Sequence, residues 1–238
     1  MGFLLGTVVG SFTSTILLRW PAGRPVSGRS ACDGCGRVLG VADLFPLLSF
    51  VAARGRCRAC RTPIDRRHFA LELASAFIGA LSLWLQPGAA GLLTAVFGWW
   101  LLLIAAIDLE HQWLPDRLTL PLLPAGLVAA WSGVGPMLAD RLIGAAAGFA
   151  ILALLRAGYR HLRGREGMGG GDPKLLAAIG AWPGWQALPF LLLGAGLVGL
   201  ASLAAMRLRG QTVAGDTRLP LGSLMAVAAW PLWLIVAM

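Results

Sequence analysis

The chain has 238 residues, 57% of them hydrophobic and 13% charged, with a net charge of +9 and a mean hydropathy of +0.73. Soluble domains carry about 25% charge, so this composition excludes an ordinary soluble globular domain, and its wealth of Leu, Ala, Val and Ile excludes a disordered chain. The basic excess would mark a nucleic-acid binder in a soluble protein, but in a membrane protein it records topology, and no nucleic-acid partner is expected.

In chain order, apolar stretches suited to a hydrocarbon core about 30 Å thick fall near residues 3–18, 69–86, 91–109, 118–134, 142–156, 174–188, 189–206 and 220–237. They predict an all-α polytopic membrane protein with about eight transmembrane helices in the lipid bilayer. The sixth stretch is short and interrupted by Trp182, Pro183, Gly184 and Trp185. No basic segment precedes the first stretch, so it reads as a retained helix and not as a cleaved signal. Basic residues concentrate in cytoplasmic loops. Every Lys and Arg except Arg141 then falls on one side, including the run from Arg19 to Arg67, Arg156 to Lys174, and Arg207, Arg209 and Arg218. Both termini are therefore expected outside the cytoplasm. Residues 1–19 form the first transmembrane helix, 20–67 a cytoplasmic domain, and 68–238 the main transmembrane domain.

All four cysteines lie in the cytoplasmic segment, as Cys32-Asp33-Gly34-Cys35 and Cys57-Arg58-Ala59-Cys60, with 21 residues between the pairs. Paired C-x2-C at this separation is the spacing of a zinc-ribbon-like site with four thiolate ligands. Two disulfides are the alternative, but structural disulfides are rare in the reducing cytoplasm. Four thiolates leave no open coordination position, so such a metal is structural and activates no water. His68, His111 and His161 are scattered and read as polar side chains near helix ends.

Ionisable groups inside spans are functional candidates by default. Asp108 ends the third stretch, and Asp172 follows the glycine run Gly167-Met168-Gly169-Gly170-Gly171, just before Pro173 and Lys174. Both are expected at the same face and similar depth. Two adjacent carboxyls cannot both ionise cheaply, so one takes a proton from water while the other gives one to a peptide carbonyl. The glycines leave room for an extended substrate. A plainer reading makes Asp108 an ion-pair member and Asp172 a helix cap followed by Pro173. Asp116 reads as a cap of the fourth span or an orderer of the loop before it. Glu72 and Glu166 are supporting candidates, either pairing with cytoplasmic Arg or lining the substrate path, while Asp33, Asp43, Asp65 and Asp216 read as solvated loop residues. The acids and the broken helix also fit a proton-coupled transporter, and the cysteine loop alone would fit a membrane-anchored zinc adaptor.

Taken together, these motifs resemble the bacterial type IV prepilin peptidases, which belong to the G-x-G-D aspartyl protease group. The resemblance rests on Gly10-Ser11-Phe12 with Arg19 and Pro21, the cysteine loop with Pro46-Leu47-Leu48-Ser49, and Ile107-Asp108 through Leu114-Pro115-Asp116-Arg117. Gly169-Gly170-Gly171-Asp172-Pro173-Lys174 and the late Leu219-Pro220-Leu221-Gly222 complete it. It implies a catalytic pair of Asp108 and Asp172, with Gly169, Gly171, Lys174, Glu166, Asp116 and Glu72 in support, and Cys32, Cys35, Cys57 and Cys60 as zinc ligands. It further implies cleavage of a short basic leader from prepilins or pseudopilins at the cytoplasmic face of the inner membrane, typically after Gly. S-adenosylmethionine-dependent methylation of the new N-terminus would follow. The leader's bases are expected to find Glu110, Asp116 or Glu166. Thr13-Ser14 and Leu44-Phe45 depart from the family pattern, which commonly carries Asn near both places. The nearest rival is a G-x-G-D intramembrane protease of another substrate class.

Overall fold

The computed structural model describes residues 1–211 and 219–238. Asp216 and Arg218 lie outside the described residues. Regular structure is helical: α1 (Gly2–Arg19), α2 (Leu48–Ala52), α3 (Arg66–Leu85), α4 (Ala89–His111), α5 (Asp116–Val128), α6 (Leu138–Arg163), α7 (Gly171–Gly180), α8 (Leu188–Leu208) and α9 (Leu221–Val236). Helices are what apolar segments must form in lipid, where each backbone N–H and C=O needs a partner within its own segment.

Each of the eight expected segments carries a helix, but five among the described residues are long and apolar enough to cross a membrane: α1, α3, α4, α6 and the stretch Trp185–Leu208. The expected count of eight full crossings is therefore not reached by length. The reasons are local. α5 carries Pro121 and Pro124 in its interior, and each proline removes a helical hydrogen bond. α7 stops after 10 residues, about 15 Å of helix against a core of about 30 Å. After it the chain turns through Gly184, whose φ is +79°.

The chain forms two compact units, Met1–Ala95 and Val96–Met238. In the first, α1 packs against α3 through Gly2, Gly6 and Gly10, which share one face because they are four residues apart. A Cβ on Gly6 would sit 2.2 Å from the Ser75 carbonyl oxygen, and one on Gly2 would sit 2.1 Å from that of Gly79. Only glycine permits this approach, as is common between membrane helices. His68 Nδ1 lies 2.7 Å from Ser14 Oγ across the same pair. Asp65 caps α3 by accepting from Arg67 N at 2.9 Å, so it is more than the solvated loop residue expected.

In the second unit α7 is the central helix, packed against α5, α6 and α9, and Leu175, Leu176, Ala178 and Ile179 are fully buried. Gly144 and Gly180 bring α6 and α7 into backbone contact, with each absent Cβ filled by the other's carbonyl oxygen at 2.3 and 2.4 Å. Gly148 does the same against Leu176. Around the far end of α7, Phe97 stacks on Trp182 at 4.2 Å and Trp233 meets Trp182 edge-on at 5.5 Å. Arg141, the basic residue that stood apart from the charge asymmetry, is fully buried there. It lies over Trp233 and donates to the carbonyls of Pro136, Gly126 and Val134. It is a structural pin and carries no topological signal.

The glycine contacts predict opposite outcomes for one substitution at two places. Gly6→Ala, with no room for its methyl, is expected to cost about 1–3 kcal/mol in a detergent unfolding titration. Gly158→Ala, where nothing lies within 4 Å, is expected to gain about 0.5–1 kcal/mol.

Candidate active site and cysteine cluster

Asp108 sits in the last turn of α4 and Asp172 in the first turn of α7, and they are 5% and 7% exposed. The charge of Asp108 is felt at Asp172, so the structure brings near each other the two acids that sequence singled out. The link between them is Leu114, which had no assigned role. A Cβ on Gly171 would lie 2.7 Å from Leu114 Cβ, and one on Gly222 would lie 2.8 Å from Leu114 Cδ2 and 2.9 Å from Asp108 Oδ2. Both glycines are therefore needed for close approach. Gly169, by contrast, faces little besides Asp172 Oδ2 at 3.2 Å, so the glycine loop leaves space beside the acid.

Asp108 is held from the opposite side by the start of α9. Its Oδ2 accepts from Ser223 N at 2.7 Å and lies 3.1 Å from Ser223 Oγ, which shares its proton with the Ala105 carbonyl at 2.9 Å. The Gly222 N–H reaches the same carboxylate. Among the described residues Asp108 has no ion-pair partner. Ser223 lies 115 residues away in sequence, and its only signal was the adjoining Leu219-Pro220-Leu221-Gly222 motif. Asp172 accepts from the Gly169 N–H and experiences the charge of Arg156 on α6. It does not occupy the cap position of α7, which is Gly170.

The supporting candidates have separate partners. Asp116 does not cap α5 with its side chain; both its oxygens lie 2.8 Å from Lys174 Nζ, so the pair ties the starts of α5 and α7 together. Glu166 receives Arg156 at 3.1 and 3.2 Å and pins the glycine loop to α6. These two acids are already matched with the chain's own cations and are not free receptors for a basic leader. Glu72 lies in the other compact unit, on α3. It pairs with no Arg there: it accepts from Leu47 N at 2.7 Å and from the Ser11 hydroxyl, anchoring the segment between α1 and α3 to that helix pair.

The cysteines are reduced, and their four Sγ atoms lie within 4.8 Å of one another. Each pair forms the same knuckle. Cys32 N donates to Arg37 O and Gly36 N to Cys32 O; likewise Cys57 N donates to Thr62 O and Arg61 N to Cys57 O. The residue after each second cysteine is left-handed, Gly36 at φ +70° and Arg61 at +61°. Gly34 lets the knuckles meet, since a Cβ there would lie 2.5 Å from Thr62 Oγ1. The Cys32 and Cys60 sulfurs are 3.7 Å apart, close to the edge of about 3.8 Å for a tetrahedron with zinc–sulfur bonds of about 2.3 Å. The Thr62 hydroxyl and N–H hold the Cys60 thiol down to about 6. At Cys35 the Arg37 N–H pulls the same way, but the crowded Cys60 and Cys32, with burial, push it up to about 11. Four sulfurs this close ionise together only around a cation. Asp43 ties this loop through Arg37, Arg58 and the Gly40 N–H, which holds its carboxyl below the usual range.

A helical membrane protein with buried acids at the ends of two helices and a four-thiol cluster in a separate loop is the class that fold and site define. Residues 95–204 match the profile of the type IV leader peptidase family, and residues 4–86 match that of the bacterial peptidase A24 N-terminal domain. Three similar proteins are each named prepilin leader peptidase/N-methyltransferase. The one from Aeromonas hydrophila is 42% identical over 85% of this chain and 70% of its own length. That from Burkholderia pseudomallei (strain 1026b) is 41% identical over 94% and 81%, and that from Pseudomonas aeruginosa 37% identical over 95% and 87%. No solved structure matches the chain. The chain belongs to the type IV leader peptidase family.

Gly222→Ala should report on the packing around Asp108. Its methyl would displace Leu114 or Asp108, and a misplacement of about 1 Å costs on the order of a hundredfold in rate. Peptidase turnover is expected to fall accordingly while substrate KM and the detergent unfolding midpoint change little.

Proposed function

We propose that this protein is a multi-pass inner-membrane aspartyl endopeptidase that removes the basic leader of a type IV prepilin or pseudopilin and then methylates the new N-terminus. The observation that supports the catalytic assignment is that both acids are buried, that the charge of Asp108 is felt at Asp172, and that Leu114 packs against the glycines beside each. Water attacks the carbonyl carbon of the peptide bond after the leader, one aspartate taking the water proton and the other giving its proton to the carbonyl oxygen. The tetrahedral intermediate collapses with a proton passing to the departing amine, which restores the pair. The glycine loop Gly167–Gly171 gives the extended substrate backbone access to the acids, and Lys174–Asp116 and Arg156–Glu166 hold that loop and α7 in place. The site faces the cytoplasm with both termini outside, in keeping with the basic residues Arg117, Arg156, Arg160 and Lys174 at its end of the helices. The substrate's apolar helix stays in the bilayer.

Cys32, Cys35, Cys57 and Cys60 hold zinc as a structural ion, a role that the sulfur spacing and all-thiolate donor set support. S-adenosylmethionine supplies the methyl group in the second reaction. A groove of about 360 Å³ beside α1 offers residues that suit it: Arg19 for its carboxylate, Phe12 for its purine, and the hydroxyls of Ser11, Thr15 and Ser30. The named relatives are peptidases, and the transporter and adaptor readings find no support among them.

The test is mass-resolved cleavage of a prepilin-like substrate in liposomes. Asp108→Asn and Asp172→Asn, once shown to be folded, are expected to lower turnover at least about a thousandfold. Asp116→Asn, which loses an exposed ion pair, should keep most activity. Cleavage surviving in either of the first two would sink the dyad, and a product heavier by one methyl only when S-adenosylmethionine is added would establish the second reaction. Elemental analysis should find one zinc per wild-type chain and none in Cys57→Ser/Cys60→Ser.

A further inference from the structure

The two carboxyls of the proposed pair are not equivalent, and the difference lies in what α9 does to one of them. Asp108 Oδ2 faces the Ser223 N–H at 2.7 Å and the Ser223 hydroxyl at 3.1 Å, and the Gly222 N–H reaches the same carboxyl, all in the first turn of α9. Backbone N–H groups only donate, so Oδ2 is held as an acceptor, and several donors converging on one carboxyl favour its charged form over its neighbour's. The unpaired N–H groups of a helix start also favour a negative charge beside them. Asp172 stands in a first turn too, but among the described residues its one backbone donor is the Gly169 N–H, and its space opens toward the glycine loop.

We infer that Asp108 is the charged member of the pair and accepts the proton from water, that Asp172 carries the proton given to the substrate carbonyl, and that Ser223 is the positioning residue that fixes this division. The inference rests on the dyad reading above and adds the direction of proton flow to it. In balance, water loses a proton to Asp108 as its oxygen bonds to the carbonyl carbon, and the Asp172 proton passes to the carbonyl oxygen as the C=O π bond becomes a lone pair. The amine then leaves with the proton held on Asp108, and Asp172 regains its own from the collapsing hydroxyl.

The other charged groups nearby leave this asymmetry in place. Arg156 on α6 acts on Asp172 and is itself paired with Glu166. Lys174 on α7 is engaged by Asp116 of α5, and His111 on α4 lies 3.9 Å from Glu110. On α9, Ser223 and Gly222 present uncharged donors.

The two possible assignments separate in the pH profile of kcat/KM. The active form has one proton shared between two acids, so the acid limb reports ionisation of the charged member and the basic limb reports loss of the carried proton. Ser223→Ala removes the hydroxyl donor and is expected to raise the acid limb by about half to one pH unit while the basic limb and KM stay in place. Ser223→Thr, which keeps a hydroxyl, should restore the wild-type limb. A shift of the basic limb with the acid limb fixed would reverse the assignment, and a profile in which neither limb moves would remove Ser223 from any positioning role. Asp108→Asn and Asp172→Asn in the same assay keep the two readings apart. Activity in either breaks the dyad itself, whereas two inactive variants with a wrongly moving limb overturn only the division of roles.

Discussion

Two carboxyls withdrawn from water at the same place are the constraint around which the second unit is organised. Each negative charge loses its hydration, and the pair repels itself when both ionise. The structure answers with backbone dipoles in place of salt bridges. α9 turns its first N–H groups on Asp108, and the glycine loop turns the Gly169 N–H on Asp172. Cations stand one step back, with Arg156 and Lys174 each occupied by an acid of its own. A cation salt-bridged directly to a carboxylate would quench the proton exchange such a pair performs; fixed dipoles hold it without doing so.

The same constraint explains why α7 is short. α7 begins beside Asp172 with the irregular glycine loop before it, and irregular backbone at membrane depth is tolerated only when buried in protein or lining a wet cavity. α7 is surrounded by α5, α6 and α9, and its carbonyls approach the glycines of α6. Its length is thereby freed from bilayer thickness, since protein and not lipid covers its sides. The aromatic cluster and Arg141 close its far end, where the guanidinium satisfies carbonyls that the Gly133 to Pro136 turn and the end of α5 leave open.

What sequence made legible is what depends on short-range pattern. The helices follow from hydropathy, the cysteine knuckles from a spacing of two residues repeated once, and Asp108 and Asp172 from the rarity of acids in apolar runs. What escaped it depends on contacts between distant segments. Ser223 looks like any serine in an apolar helix until α9 meets α4, and Leu114 is one leucine among many until two glycines are seen to close on it. Glu72 is an acid in an apolar helix whose task, holding the Leu47 N–H and the Ser11 hydroxyl, needs the fold of the segment between α1 and α3. Helix length was the harder quantity to read, because hydropathy alone does not register Pro121 and Pro124 as interruptions of α5.

The central claim is that Asp108 and Asp172 act together on one peptide bond. The most direct measurement is the affinity of a leader peptide whose scissile bond is replaced by a hydroxyethylene group, which presents a tetrahedral hydroxyl where the intermediate would form. The account predicts tight binding to the wild type and binding weaker by about a hundredfold or more in both Asp108→Asn and Asp172→Asn. Unchanged affinity in either variant would contradict it, because that acid would then make no contact with the reacting centre.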